Sequence, residues 1–241
     1  MGSVCDRSIH EMASAQDVLD RYADGTPYAE LARAFLELDR WTGDDPVLLL
    51  AETAAATTGQ RFETGVKPAV GRFRDAFVEN GRVSSFADLA AIEPDDEALV
   101  EAFGAQRKRR VLVEGAARLD DRKEADDLDA LTGWAAGADP YRYREDPIGS
   151  ISGVGPSSFQ YLRMLAGVDA ARPDPDVTRL VEAVDAELAD SPLDASEPLR
   201  AIASCEWLAV ESSYRPIEID RIAWWTYADE TERAGVRDES A

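Results

Sequence analysis

A chain of 241 residues, 45% of them hydrophobic, can bury one good core or two small lobes that share one. Its charge is lopsided, with 48 acidic residues against 26 basic and a net charge of −22. No apolar run approaches the ~20 residues of a membrane span. The one histidine, His10, excludes a Ser-His-Asp triad, a His-rich metal site and a zinc deaminase signature outside the N-terminus.

In dilute buffer so acidic a surface repels nucleic acid. Either the protein does not bind DNA, or it works at very high salt, where the Debye length falls to ~3 Å at 1 M and the repulsion is screened. Acidity spread along the chain, with Lys67, Lys108 and Lys123 the only lysines, resembles the proteins of salt-accumulating halophiles. Binding at high salt must lean on backbone N–H groups and local arginines. Cys5 and Cys205 lie far apart and suggest no disulfide framework. The polar start M-G-S-V-C-D lacks the features of a secretory signal, so a cytoplasmic location is expected.

The pattern along the chain is helical throughout, and no strand-like alternation persists. After a loose start at 1–7, helices are expected over Ser8–Ala23 and Pro27–Trp41, the second with Leu31, Phe35 and Leu38 on one face. Asp45-Pro46 opens a strongly apolar helix over Val47–Ala56. It ends at Thr57-Thr58-Gly59, which leaves Gln60 in a polar turn. Lys67–Asn80 reads as one helix closed by Gly81, and Ser85–Ile92 and Pro94–Phe103 as short ones. Gly104 precedes Gln106-Arg107-Lys108-Arg109-Arg110, four consecutive cations opening a helix with Val111, Val113 and Leu119 apolar. That cluster is either a solvated helix face or a phosphate contact. Asp120–Gly137 is acidic yet helical, with Leu128, Leu131 and Trp134 as its stripe. In Asp139–Arg144, Tyr141 and Tyr143 either stack on a base or pack the segment that follows. Later helices are expected over Pro198–Ser213 and Pro216–Ala228, with a loose tail from Asp229.

The organising stretch runs from Ile148 to Leu180. Ile148 and Ile151 anchor a short helix, Gly153-Val154-Gly155 breaks it, and Pro156 starts another carrying Phe159, Leu162, Leu165 and Ala166 inward. Gly153 and Gly155 can take positive φ and keep side chains away, so backbone N–H groups face outward at a helix N-terminus. That arrangement suits a phosphate of a nucleic-acid backbone; it also serves as a plain turn. Downstream, Asp174 is an N-cap with Pro175 at the first helical position, and Val177, Leu180, Val181 and Val184 form the apolar face. An Asp so placed either does chemistry beside the bound phosphate or only caps its helix.

Together these segments resemble the helix-hairpin-helix DNA glycosylases, the superfamily of endonuclease III, adenine glycosylase and the alkylated-base glycosylases. Their hairpin reads near L-x-x-L-P-G-V-G, and Ile148–Gly155 matches it with Ser152 in place of proline. Their catalytic Asp opens a helix in V-D-T-H-V-x-R, which Pro173–Arg179 matches at Asp174, Val177 and Arg179. The resemblance implies an all-α, two-lobed fold in which Asp174 is the catalytic carboxylate, with Asp176 the less favoured candidate. It implies that Gly153, Val154, Gly155 and Ser157 meet the DNA. It also favours Arg107, Lys108, Arg109 and Arg110 as phosphate contacts and Gln60 as a probe of the duplex. Bifunctional members carry a nucleophilic lysine where this chain has Ser157, so no lyase step is expected. Phe159 replaces a small residue and implies altered hairpin packing. The four-cysteine iron–sulfur loop is absent, and neither cofactor nor metal is implied.

The expected layout is N-terminal helices at 1–44 belonging to the second lobe, a helical lobe at 45–139, the hairpin and Asp lobe at 140–230, and a loose acidic tail at 231–241. The implied function is a monomeric, monofunctional DNA N-glycosylase, an acidic, haloarchaeal-type member acting on double-stranded DNA with a damaged base. Trp41, Tyr141 and Trp224 are candidates to line a base pocket. The alternative is a non-catalytic helix-hairpin-helix module that binds DNA or a partner, with Asp174 only a cap.

Overall fold

Six of the α-helices among the described residues open on a side chain that accepts one of their own unpaired N–H groups: Ser14, Asp45, Ser85, Asp96, Asp126 and Asp174. Such starts set the boundaries in the computed structural model, which describes residues 13–239. The helices are α1 (Ala15–Ala23), α2 (Tyr28–Leu36), α3 (Pro46–Ala56), α4 (Lys67–Phe73), α5 (Phe86–Ala90), α6 (Glu97–Phe103) and α7 (Gln106–Asp120). They continue with α8 (Asp127–Gly137), α9 (Pro156–Leu165), α10 (Pro175–Asp185), α11 (Pro198–Val210), α12 (Pro216–Tyr227) and α13 (Glu230–Glu239). No strand occurs among the described residues, so the fold is all-α.

Several boundaries differ from the sequence expectation. Residues 8–12 of the first expected helix lie outside the described residues, and α1 starts at Ala15, where Ser14 and Asp17 form a reciprocal capping box. α2 stops at Leu36 rather than Trp41, because Leu38 turns to φ +55 and the Asp39 N–H reaches back to the Ala34 carbonyl. The expected Lys67–Asn80 helix is longer and less regular, with π-turns at Phe62–Val66 and Arg74–Val78 flanking α4. Asp120–Gly137 is two elements: α7 runs on to Asp120, and Asp126 starts α8 afresh by accepting the Asp129 N–H. The segment from Ile148 is a series of turns, not a short helix. The tail from Asp229 is helical, and Glu232 of α13 accepts the N–H groups of Phe62 and Glu63 at 3.2 and 3.1 Å.

Apolar packing falls into two clusters. The larger joins α2–α9 around fully buried Phe73, Phe77, Phe86 and Phe159, and the smaller joins α1 to α10, α11 and α12 around Val18, Leu180 and Ile222. Along the chain they meet at Ala170 and Ala171, later than the expected break at 139–140. The hairpin helix α9 therefore packs with the first cluster. Phe159 explains this: its ring stands edge-on to Trp134 at 5.4 Å and beside Tyr143 at 6.1 Å. Burying such a ring stabilises a fold by roughly 2–3 kcal/mol. Tyr143 thus packs the hairpin, and Tyr141 turns its hydroxyl to Glu206 at 2.6 Å.

Candidate active site

The hairpin is set from three sides. Asp146 accepts the N–H groups of Ile148 and Gly149 at 2.7 and 3.2 Å and the Trp134 indole N–H at 3.1 Å. Gly149 lies so close to the Tyr143 carbonyl that a Cβ there would fall 1.8 Å from its oxygen; only glycine fits. Gly153 takes φ +116, and an added Cβ would meet Arg107 Cγ at 2.8 Å and Val111 Cγ2 at 3.1 Å. Gly155 differs from the expectation: its φ is −117, it has open space, and it is the N-cap of α9. Arg107 donates from Nε and Nη2 to the Gly153 carbonyl at 3.1 and 2.7 Å. That carbonyl is thereby covered, while Ser157 and Ser158 in the first turn of α9 have no carbonyl one turn back to receive their N–H groups. Arg107, Arg110 and Ser152–Gly155 line a shallow recess of about 430 Å³.

The cation run of α7 splits by role. Arg107 and Arg110 border this recess. Arg109 donates to the Pro94 carbonyl at 2.5 Å and to the Gly104 carbonyl, tying α7 to α6. Lys108 departs from the expected surface contact: it is 3% exposed and donates to Gln60 Oε1. Burial, and then the neighbouring Arg72, hold its ammonium below the usual lysine range. The 3.6-residue period turns this one cation inward with Val111 and Leu112.

Asp174 stands in a second and larger concavity, a cleft of about 1100 Å³ between the two clusters. It is lined by Asp174 with Asp176 and Arg179 of α10, by Arg221 and Trp224 of α12, and by the aromatic rings of Phe35, Trp41, Phe62 and Tyr161. Gln60 lines this cleft and accepts from the buried Lys108 of α7. Asp174 on one side and the hairpin with Arg107 on the other thus border two concavities rather than one groove. Trp41 and Trp224 face the cleft, and Tyr141 does not.

Asp174 Oδ1 accepts the N–H groups of Asp176 and Val177, both at 3.0 Å, and Oδ2 lies 3.8 Å from Arg172 Nε. The Arg172 Nε also donates to Ser157 Oγ at 3.0 Å, and its guanidinium lies 4.5 Å from the Tyr161 ring centroid. The Arg172 backbone N–H donates to buried Asp220 at 2.7 Å, which also accepts from Arg221. Burial pushes the Asp220 carboxyl up against the pull of Arg221. Behind three of the lining side chains, Glu52 is fully buried and accepts from Arg40 at 2.8 Å, the Trp41 indole at 3.0 Å and the Tyr161 hydroxyl. Burial and the Glu52 charge raise the Tyr161 phenol. No cluster of metal-ligating side chains occurs among the described residues, and no helix there is long and apolar enough to cross a membrane.

Sequence reasoning overlooked Arg172, Asp220 and Glu52. Glu52 carries a readable signal, as the one charge in the apolar run P-V-L-L-L-A-E-T-A-A-A. Arg172 and Asp220 carry none, being 48 residues apart and joined only by the fold.

The sequence matches no protein-family model and no curated protein. Among solved structures it is similar to the 8-oxoguanine DNA glycosylase of Thermotoga maritima, at 17% identity and a TM-score of 0.52, covering 83% of this chain and 88% of that one. With its hairpin, its Asp-capped α10 and the cleft between two helical clusters, this chain has the all-α fold of that glycosylase structure.

Proposed function

We propose that the protein is a monofunctional DNA N-glycosylase in which Asp174 is the catalytic carboxylate. One observation carries the reading: a carboxylate anchored at a helix start faces an aromatic-lined cleft large enough for a flipped base. The hairpin N–H groups, with Arg107 and Arg110, receive backbone phosphate, and the target nucleotide swings into the cleft. As the glycosidic bond breaks, positive charge builds on the sugar, and an immobile carboxylate stabilises it without reorganisation. Ser157 offers no amine, so no covalent imine with the sugar forms and the product is an abasic site.

The Thermotoga maritima neighbour makes 8-oxoguanine the first base to test. Purified protein in molar KCl, which screens the net −22, is incubated with duplexes carrying 8-oxoguanine, uracil, hypoxanthine or ethenoadenine, beside Asp174→Asn. The reading requires base release by the natural chain and its loss in Asp174→Asn. Duplex binding with no release of any base by the natural chain supports instead a module that has kept the grip without the chemistry.

A further inference from the structure

Of the carboxyls that line the cleft, Asp174 and Asp176 stand together at the start of α10, and their surroundings differ. Asp174 Oδ1 is already occupied by two backbone N–H groups. Asp176, at the second position of α10, accepts no hydrogen bond; its nearest cation is Arg179 Nη1 at 4.0 Å, and its side chain is 26% exposed toward the cleft. We propose that Asp176 is the general acid of the reaction, giving its proton to the departing base while Asp174 serves the sugar. This rests on the glycosylase reading above.

The charges around Asp176 agree with the geometry. Asp174 and Arg172 face it from the preceding segment, Arg179 from its own helix, and Asp220 and Tyr227 from α12. The other helices against α10 add the buried Cys205 thiol of α11, which feels Asp174 and Asp220, and Tyr22 of α1, beside Tyr227. Burial first, then the Asp174 charge, push the Asp176 carboxyl up to about 6, outweighing Arg179 and Arg172. A carboxyl that holds its proton near neutral pH beside the cleft can act as an acid there.

The step balances. The bond from C1′ to the base nitrogen breaks with its electron pair leaving on the base, and the Asp176 proton neutralises that nitrogen. Water adds to C1′ and gives its proton to Asp174. Proton exchange with solvent then restores both carboxyls, so one water is consumed and free base and abasic sugar are released.

The test measures single-turnover base release from the same four duplexes between pH 5 and 8 for the natural chain, Asp176→Asn and Asp174→Asn. A carboxyl carbon NMR titration of the free protein accompanies it. The natural chain is expected to slow about tenfold per pH unit above pH 6. Asp176→Asn is expected to lose roughly 10²–10⁴-fold at pH 6 and to show no such slope, with duplex affinity unchanged. An Asp176→Asn rate within about threefold of the natural chain with the same slope, while Asp174→Asn is dead, overturns this proposal alone. So does an NMR titration of Asp176 near the ordinary carboxylate value. Release that survives in Asp174→Asn overturns the catalytic role of Asp174, and release by no chain overturns the glycosylase reading and this proposal together.

Discussion

Arg172 Nε donates to Ser157 Oγ at 3.0 Å, tying the first turn of the hairpin helix to the segment that presents Asp174. The same nitrogen lies 3.8 Å from Asp174 Oδ2. A guanidinium therefore stands between the Ser157 hydroxyl and the carboxylate.

Ser157→Lys is expected to create what the natural chain lacks. An amine at 157 would sit beside the Arg172 cation, and a like charge at that range disfavours its protonated form. A fraction of neutral, nucleophilic amine is thereby available near neutral pH. Borohydride treatment with an abasic duplex should give a covalent protein–DNA band for Ser157→Lys and none for the natural chain. No band for the variant would mean that the sugar does not reach Ser157.

Asp174 does two jobs that substitution can separate. Asparagine keeps an oxygen for the Asp176 and Val177 N–H groups and caps about as well as Asp, whereas alanine leaves both unpaired. Asp174→Ala should lose about 1 kcal/mol of stability, a melting shift of about 2–4 °C for a chain of this size. Asp174→Asn should melt like the natural chain and yet release no base. Equal melting of all three would mean that the cap contributes nothing.

Gly153→Ala is expected to cost stability and grip together. Its φ of +116 is strained for any residue with a Cβ, and that Cβ would press on Arg107 and Val111. The strain is on the order of 1–3 kcal/mol, relieved only by moving the hairpin off α7. Urea unfolding should show the loss, and duplex affinity should fall with it. Gly155→Ala, with open space and extended backbone, should change unfolding by less than about 1 kcal/mol.

The contrast between these two glycines shows what the sequence carries. Local rules found the elements: caps at Asp45, Ser85 and Asp174, prolines at the starts of α9 and α10, and apolar periods that place Phe159 and Leu180 inside. They found the hairpin and its following Asp because both are contiguous motifs. They did not say which glycine bears the strain, since that depends on how closely α7 approaches Gly153. Nor did they separate Lys108 from its neighbours: a run of cations looks uniform until packing turns one inward to Gln60. The Asp220–Arg172 and Glu52–Tyr161 bonds join residues 48 and 109 apart, a separation no local pattern spans.

Glu52 should prove a structural anchor of the cleft wall. Glu52→Leu removes the buried carboxylate to which Arg40, Trp41 and Tyr161 donate. Removing one partner of a buried ion pair costs about 3–5 kcal/mol. Denaturant unfolding should register a loss of that size, and a loss below about 1 kcal/mol would show that the wall repacks.

Asp176 makes a prediction about stability that needs no substrate. Its carboxyl titrates at about 6 in the fold against 3.8 for the ordinary group. Between those values the folded chain holds a proton that the unfolded chain has released, so stability falls as pH rises through the window and stays low above it. The full effect is on the order of 2 kcal/mol, allowing for the partly exposed side chain. Asp220 and Glu232, raised by burial, act in the same sense; Asp96 and Asp194, lowered by hydrogen bonds and arginine partners, act in the opposite sense. Only the difference between the natural chain and Asp176→Asn isolates this group. The two should unfold alike near pH 4, and the variant should be the more stable at pH 7. A difference that does not grow between pH 4 and 6.5 would mean that Asp176 is ionised throughout, and would remove with it the proton that the proposed chemistry requires.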